Sequence, residues 1–194
     1  MFVLKIVSLP LFTYLALFAA AQDIEQIEAK MFQIDAVHST SIFRVHHFGA
    51  GMFYGRFNDV TGTIEVDDGT PSFNVSIDVN SVDTNNEKLD GHLKSPDFFN
   101  VVEFPSMTFK STSAKKTGDE IYTVDGEISM HGVTKPITVQ VANTGQATGR
   151  RGEMIGFETE FTIKRSEFGM TYGVENGALG DSVKIIVALE AGRR

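Results

Sequence analysis

Phe73-Asn-Val-Ser-Ile-Asp-Val79 is the stretch that decides the fold. Phe73, Val75, Ile77 and Val79 fall on one side of an extended backbone and Asn74, Ser76 and Asp78 on the other, because successive side chains of a strand point to opposite faces. Such alternation marks a strand with one dry and one wet face. The same rule runs through Tyr122/Val124/Gly126/Ile128/Met130, Ile137/Val139/Val141, Ile155/Phe157/Thr159/Phe161/Ile163 and Val183/Ile185/Val187/Leu189. Asp67-Asp-Gly-Thr-Pro71, Lys115-Lys-Thr-Gly-Asp119 and residues 143–152 lie between these runs and read as turns. Many short alternating strands separated by turns predict an all-β sandwich or barrel.

One interruption is helical. Thr84 or Asn85 suits the cap of a short helix reaching Gly91 or beyond, and Ser95-Pro96 reads as a second cap with proline at the first helical position, ahead of Asp97-Phe98-Phe99. No repeat or linker divides the chain, so residues 22–194 are expected to form one domain.

Residues 1–21 are organised as a cleaved export signal. Lys5 supplies a positive start, residues 6–18 are apolar, and Ala19-Ala20-Ala21 offers a small-residue cleavage site. The apolar run is shorter than the roughly 20 residues a membrane-spanning helix needs. The expected location is the periplasm or the medium. With no cysteine, lipid attachment through a thiol, disulfides and thiolate chemistry are all excluded. A net charge of −8 argues against nucleic acid as a partner and against tight docking on anionic membrane surfaces.

Catalytic and metal chemistry find little support. His38 and His46 share a face of the first strand but stand about 26 Å apart if it is straight, too far for one zinc ion, and His46 and His47 point to opposite faces. No metal is expected unless His47, His92 or His131 meet from separate elements. Gly180-Asp-Ser-Val183 looks like a serine-lipase motif, and Asp35-Ala-Val-His38 like its Asp/His partner. Their order along the chain is reversed, however, and no strand–helix alternation accompanies them, so a turn into the last strand is the better reading. Glu158 and Glu160 lie on a wet face, Arg150-Arg151 in a glycine-rich turn, and Asn74-Val-Ser76 is a glycosylation sequon with meaning only in a host that uses it.

Gly126-Glu-Ile-Ser-Met-His-Gly-Val-Thr-Lys-Pro-Ile-Thr138 resembles the signature of the YceI-like family. His38-Ser-Thr-Ser-Ile-Phe-Arg-Val-His-His-Phe-Gly49, Asp90-Gly-His-Leu-Lys-Ser-Pro-Asp-Phe-Phe99, Phe104-Pro-Ser-Met-Thr-Phe109, Lys164-Arg-Ser-Glu-Phe-Gly169 and Gly180-Asp-Ser-Val183 are similar to its other blocks, in the family's order. The resemblance spans nearly all of residues 32–191. It implies an antiparallel eight-stranded lipocalin-like β-barrel around an elongated apolar cavity. It also implies an exported binding protein, without cofactor or enzymatic activity, for a long-chain amphiphilic lipid such as a polyisoprenoid or isoprenoid quinone. The family often has arginine where this chain has Leu89, so a head-group contact by that arginine is lost or replaced here.

Parity puts Phe43, Val45, Ile77, Phe109, Ile128, Val139, Phe157, Phe161 and Ile185 on the inner face, where the resemblance implies a lipid tail. His47 shares their side, either as a hydrogen-bonded core histidine or as an anchor for a ligand head group. Phe98 and Phe99 of the helical insert either plug the barrel end or close over a ligand, with Asp90 and His92 as head-group candidates at the mouth. The rivals are a lipid-acting hydrolase or isomerase, which needs a nucleophile with a base in reach, and a packed structural barrel without ligand. A homodimer is left open. Intact-mass measurement on the protein from its own host should give Gln22 as the first residue; retention of residues 1–21 would mean an anchored protein.

Overall fold

A computed structural model describes residues 28–150 and 152–193. The expected export segment, residues 1–21, lies outside the described residues. Strands β1 (Lys30–Ile34) and β2 (Thr40–His47) run up one side of the barrel, and β3 (Gly51–Phe57) and β4 (Val60–Asp67) return beside them. After β5 (Thr70–Asp78) comes an insert: a 3-10 turn (Val79–Ser81), the two-residue strand β6 (Val82–Asp83) and helix α1 (Glu87–Leu93). The chain then meanders through β7 (Ser106–Gly118), β8 (Ile121–Met130), β9 (Val133–Gly149) and β10 (Gly152–Lys164). A second 3-10 turn (Arg165–Phe168) leads to β11 (Leu179–Arg193).

β11 closes the sheet by pairing with two partners. Its end meets β1, Ala191 opposite Ile34, and its earlier part meets β2, from Ala188 opposite Thr40 to Val183 opposite Val45. Counting β1 with β2 and β3 with β4 as broken strands, the result is a closed antiparallel barrel of eight strands. Closure gives every strand of the barrel hydrogen-bonded neighbours on both sides for part of its length, and this pairing takes the place of the covalent support that a chain without cysteine lacks.

The first strand departs from the expected straight run carrying both His38 and His46. Asp35 interrupts it: one carboxylate oxygen accepts from the Val37 amide at 2.9 Å and the other bonds His38 Nδ1 at 3.0 Å, a local turn that competes with extended pairing. Residues 143–149, expected to be a loop, belong to β9 and pair with β10 up to Gly149 opposite Gly152. Their polar composition misleads because backbone pairing needs no apolar side chain where a strand runs beyond the core. The helix cap is Asn86, whose side chain accepts from the Leu89 amide at 3.1 Å, rather than Thr84 or Asn85. No second helix follows Ser95-Pro96; the Phe99 amide reaches back to the Leu93 carbonyl at 3.0 Å and the chain turns at once. Gly180-Asp-Ser-Val183 already lies within β11 instead of in a turn before it.

Two connections are tight, and the first falls in the Asp67–Pro71 stretch expected to turn. Asp68-Gly69, with φ of 45° and 74°, and His131-Gly132, with φ of 50° and 74°, are two-residue hairpin loops with both residues left-handed, the geometry that suits the twist of a hairpin.

The interior is divided. At the end holding the β4–β5 and β7–β8 turns, Phe32, Val60, Ile64, Val124, Ile155 and Ala191 pack into one core cluster. The Tyr122 hydroxyl seals that end by donating to the Gly69 carbonyl at 3.0 Å. At the other end Phe57, Val79, Leu93, Met130 and Phe168 form a second cluster under the insert. Gly126 lets the Phe109 ring lie flat across the inner face: a Cβ there would stand 2.6 Å from that ring and from the Lys110 carbonyl. Gly126→Val should therefore destabilise the fold by about 1–3 kcal/mol, the cost of overpacking a formed interior, read as a lowered Tm without loss of the β circular-dichroism signal.

Candidate functional site

Between the two clusters the barrel is hollow. A cavity of about 420 Å³ runs down from the open end, and its wall is almost wholly apolar. The Phe73 and Phe157 rings, edge to face at 5.1 Å, are its deepest aromatic pair and rest on the packed cluster below. Phe43, Val45, Ile77, Phe109, Ile128, Val139, Phe157, Phe161 and Ile185 all line it, as do Phe98 and Phe99 from the insert. Leu89, where arginine is frequent in the family resembled, adds a further apolar side chain to the wall.

The polar candidates divide. His47 lines the cavity at its mouth, where it is exposed and packs edge to face on Phe48 at 4.6 Å; it is not a core histidine. His92 also reaches the cavity, with Nε2 bonded to Asp97 at 3.0 Å and its ring against Phe98 and Tyr172. Asp90 is a correction: it does not line the cavity, because its carboxylate accepts from the Thr84 amide at 2.8 Å and the Thr84 hydroxyl at 2.6 Å, pinning the helix to the chain before it.

Arg165 was not anticipated, although the alternation Ile155 to Ile163 continues to it and puts it on the dry face. It lines the cavity at only 6% exposure. Its guanidinium donates to three backbone carbonyls: Gly180 and Met170 at 2.9 Å, Leu179 at 3.2 Å. Burial pushes the guanidinium below its usual pKa, and the Asp181 charge offsets part of that. Next to it, the Ser166 amide and hydroxyl each donate to Asp181 at 2.9 Å, and those bonds, with Arg165 and Lys164 nearby, hold the Asp181 carboxyl below the usual range. Tyr172 and Met170, on the loop held by these bonds, and Leu179, where β11 begins, also reach the cavity, and no periodic signal marks the two in the loop.

The motifs read in the sequence thus act as latches at the open end. In the His131-Gly132 turn, His131 Nδ1 bonds the Phe168 carbonyl at 2.9 Å and its ring lies 4.8 Å from Phe104, so β8–β9 grips both the insert and the second 3-10 turn. Nε2 of the same ring is buried without a partner. The lipase-like pieces are widely separated. Asp35 bonds the β11 backbone at Glu190, so Ser182 stands eight residues away along that strand, about 26 Å at the usual strand rise. Glu160 pairs with Lys184 on the outer wall.

Residues 32–191 match the family pattern of the YceI-like domain. A protein named YceI from Salmonella arizonae is 41% identical over 157 residues, 79% of this chain and 81% of that protein. The crystal structure of a Campylobacter jejuni YCEI protein is similar at a TM-score of 0.66 and 31% identity, covering 72% of this chain and 84% of that one. A polyisoprenoid binding domain from Saccharophagus degradans is similar in fold alone, at a TM-score of 0.67 and 16% identity, over 84% of this chain and 98% of that one.

The pairing of Asp181 with Ser166 carries a pH signature. A carboxyl whose folded pKa is depressed stabilises the fold above its unfolded value, near 3.8, and that contribution is lost as pH falls through the folded value. Asp181→Asn should cost about 1–3 kcal/mol at neutral pH, as for hydrogen bonds to a charged group. The gap from wild type should close as the pH drops below about 4, measured by urea unfolding across a pH series.

Proposed function

The chain belongs to the YceI-like family, and on that footing we propose that it is an exported, non-enzymatic carrier that holds the long apolar tail of an amphiphilic lipid inside its barrel. The single observation behind this reading is the cavity: deep, open at one end, and walled almost wholly by apolar atoms. An aliphatic or isoprenoid tail leaves nothing unsatisfied there, whereas a polar metabolite would lose its hydration without replacement. The Saccharophagus degradans domain described as polyisoprenoid binding supports a polyisoprenoid as the ligand class, and an isoprenoid quinone carries the same kind of tail. Export to the periplasm or medium is supported by the leader-like residues 1–21.

The energetics favour a long tail. Each methylene moved from water into the cavity contributes about 0.8 kcal/mol. About ten buried carbons therefore give roughly 8 kcal/mol before ordering costs are subtracted. Catalysis on the lipid would need a nucleophile and a base converging on the tail. Among the described residues the lipase-like set is instead spread along β11 and faces no common point.

Two measurements test the reading. Mass spectrometry of solvent extracts of the protein from its own host should show a stoichiometric long-chain lipid. Ile128→Trp or Val139→Trp, each putting an indole into the hollow, should abolish lipid uptake with a smaller effect on stability, because the ring takes space otherwise filled by ligand. Unchanged lipid content in folded variants would falsify an interior site.

A further inference from the structure

We propose that the open end of the barrel docks on a phospholipid membrane through the β2–β3 hairpin, so that a lipid tail passes between cavity and bilayer without crossing water. This rests on the reading that the cavity holds such a tail. Phe48, at the hairpin tip, is 68% exposed yet also lines the cavity mouth, so the apolar interior is continuous with the outer surface there. Its φ is 49°, a left-handed conformation that glycine or asparagine would adopt at lower cost than a bulky aromatic. The fold gains no core packing from that ring.

The neighbouring surface has the same character. Met52 and Tyr54, 53% and 51% exposed, stand on the outer face of the hairpin opposite His46 and Arg44, with Arg56 following on the same face. Tyr172, 48% exposed, adds an aromatic at the rim beside His92 and Phe98. Aromatic side chains interleaved with arginines are the composition of a protein surface at the lipid headgroup level. Arg56 lies 3.7 Å from Asp83, while Arg44 has no carboxylate within 4 Å among the described residues. A chain with net charge −8 is repelled by an anionic membrane as a whole, so the cluster of exposed apolar side chains at the hairpin, with Arg44 beside it, has to select which end approaches. Docking also removes the kinetic obstacle to delivery, since every methylene that must enter water slows escape about fourfold.

The chain contains no tryptophan, so Phe48→Trp is a single fluorescent reporter at the tip. Val37→Trp, at a residue 85% exposed on the turn between β1 and β2, is the control. With vesicles of phosphatidylethanolamine and phosphatidylglycerol, the reporter at position 48 should shift to the blue and become shielded from a water-soluble quencher, while position 37 stays unchanged. Both variants are compared in the same processed form, so only the difference between positions counts. Met52→Ser with Tyr54→Ser alters side chains outside the cavity wall. This variant should bind a fluorescent polyprenol with unchanged affinity but transfer it to vesicles about tenfold more slowly, the order expected from removing aromatic burial. No shift at position 48, an equal shift at both positions, or transfer that does not depend on vesicle concentration would overturn docking. So would a shift on concentrating the protein alone, which assigns the patch to a second copy, or transfer that requires a protein acceptor. If the wild type takes up no polyprenol while position 48 still reports vesicle contact, the cavity reading fails and docking stands.

Discussion

The pairing of β11 with both β1 and β2 is the constraint on which the rest depends. A single strand of 15 residues bridges the two halves of the broken first strand and turns an open meander into a closed barrel. Once the sheet is closed, alternation has a different consequence than it has in a sandwich. The inward side chains no longer need a second sheet to cover them, because the sheet covers itself. The apolar faces of the upper strands can then stay hidden from water without being packed against one another, and that is the physical basis of a stable hollow.

How the hollow is bounded follows from side-chain size and from the loops. At the sealed end, valines, isoleucines, Phe32 and Tyr122 fill the cross-section, and the Phe73–Phe157 pair forms the floor. At the open end the insert and the segment between β10 and β11 lean over the mouth. They are fixed by bonds to backbone: Arg165 to three carbonyls, Asp181 to the Ser166 amide, Asp90 to the Thr84 amide, His131 to the Phe168 carbonyl. The chain's most recognisable words are therefore architectural. They tie the rim together over the apolar walls beneath it.

Arg165 and Asp90 illustrate why polar residues are harder to place than apolar ones. A phenylalanine on the dry parity has one destination. An arginine on the same parity can reach past the wall to backbone carbonyls at the rim, and an aspartate near a helix start can satisfy an upstream threonine instead of facing the mouth. The choice is set by which unpaired backbone groups come within about 3 Å, and those partners come from residues distant in sequence or from turns whose shape is not periodic. The same holds for the break at Asp35, where one side chain takes over two local hydrogen bonds and divides what alternation alone would make continuous.

By itself the sequence determined that the chain is all-β, which strand face is dry, where the tight turn at Asp68-Gly69 falls, and that Phe43, Val45, Ile128, Val139 and Phe157 share an interior. These are local properties: period two and positive φ are written in neighbouring residues. Only the tertiary structure decided that the dry faces surround a hollow instead of a filled core, that residues 143–149 extend a strand, that Arg165 is buried at the rim, and that Phe48 stands exposed at the cavity mouth. Each of these depends on how far apart the closed walls stand and on which distant backbone groups need partners, and neither quantity exists until the last strand has met the first.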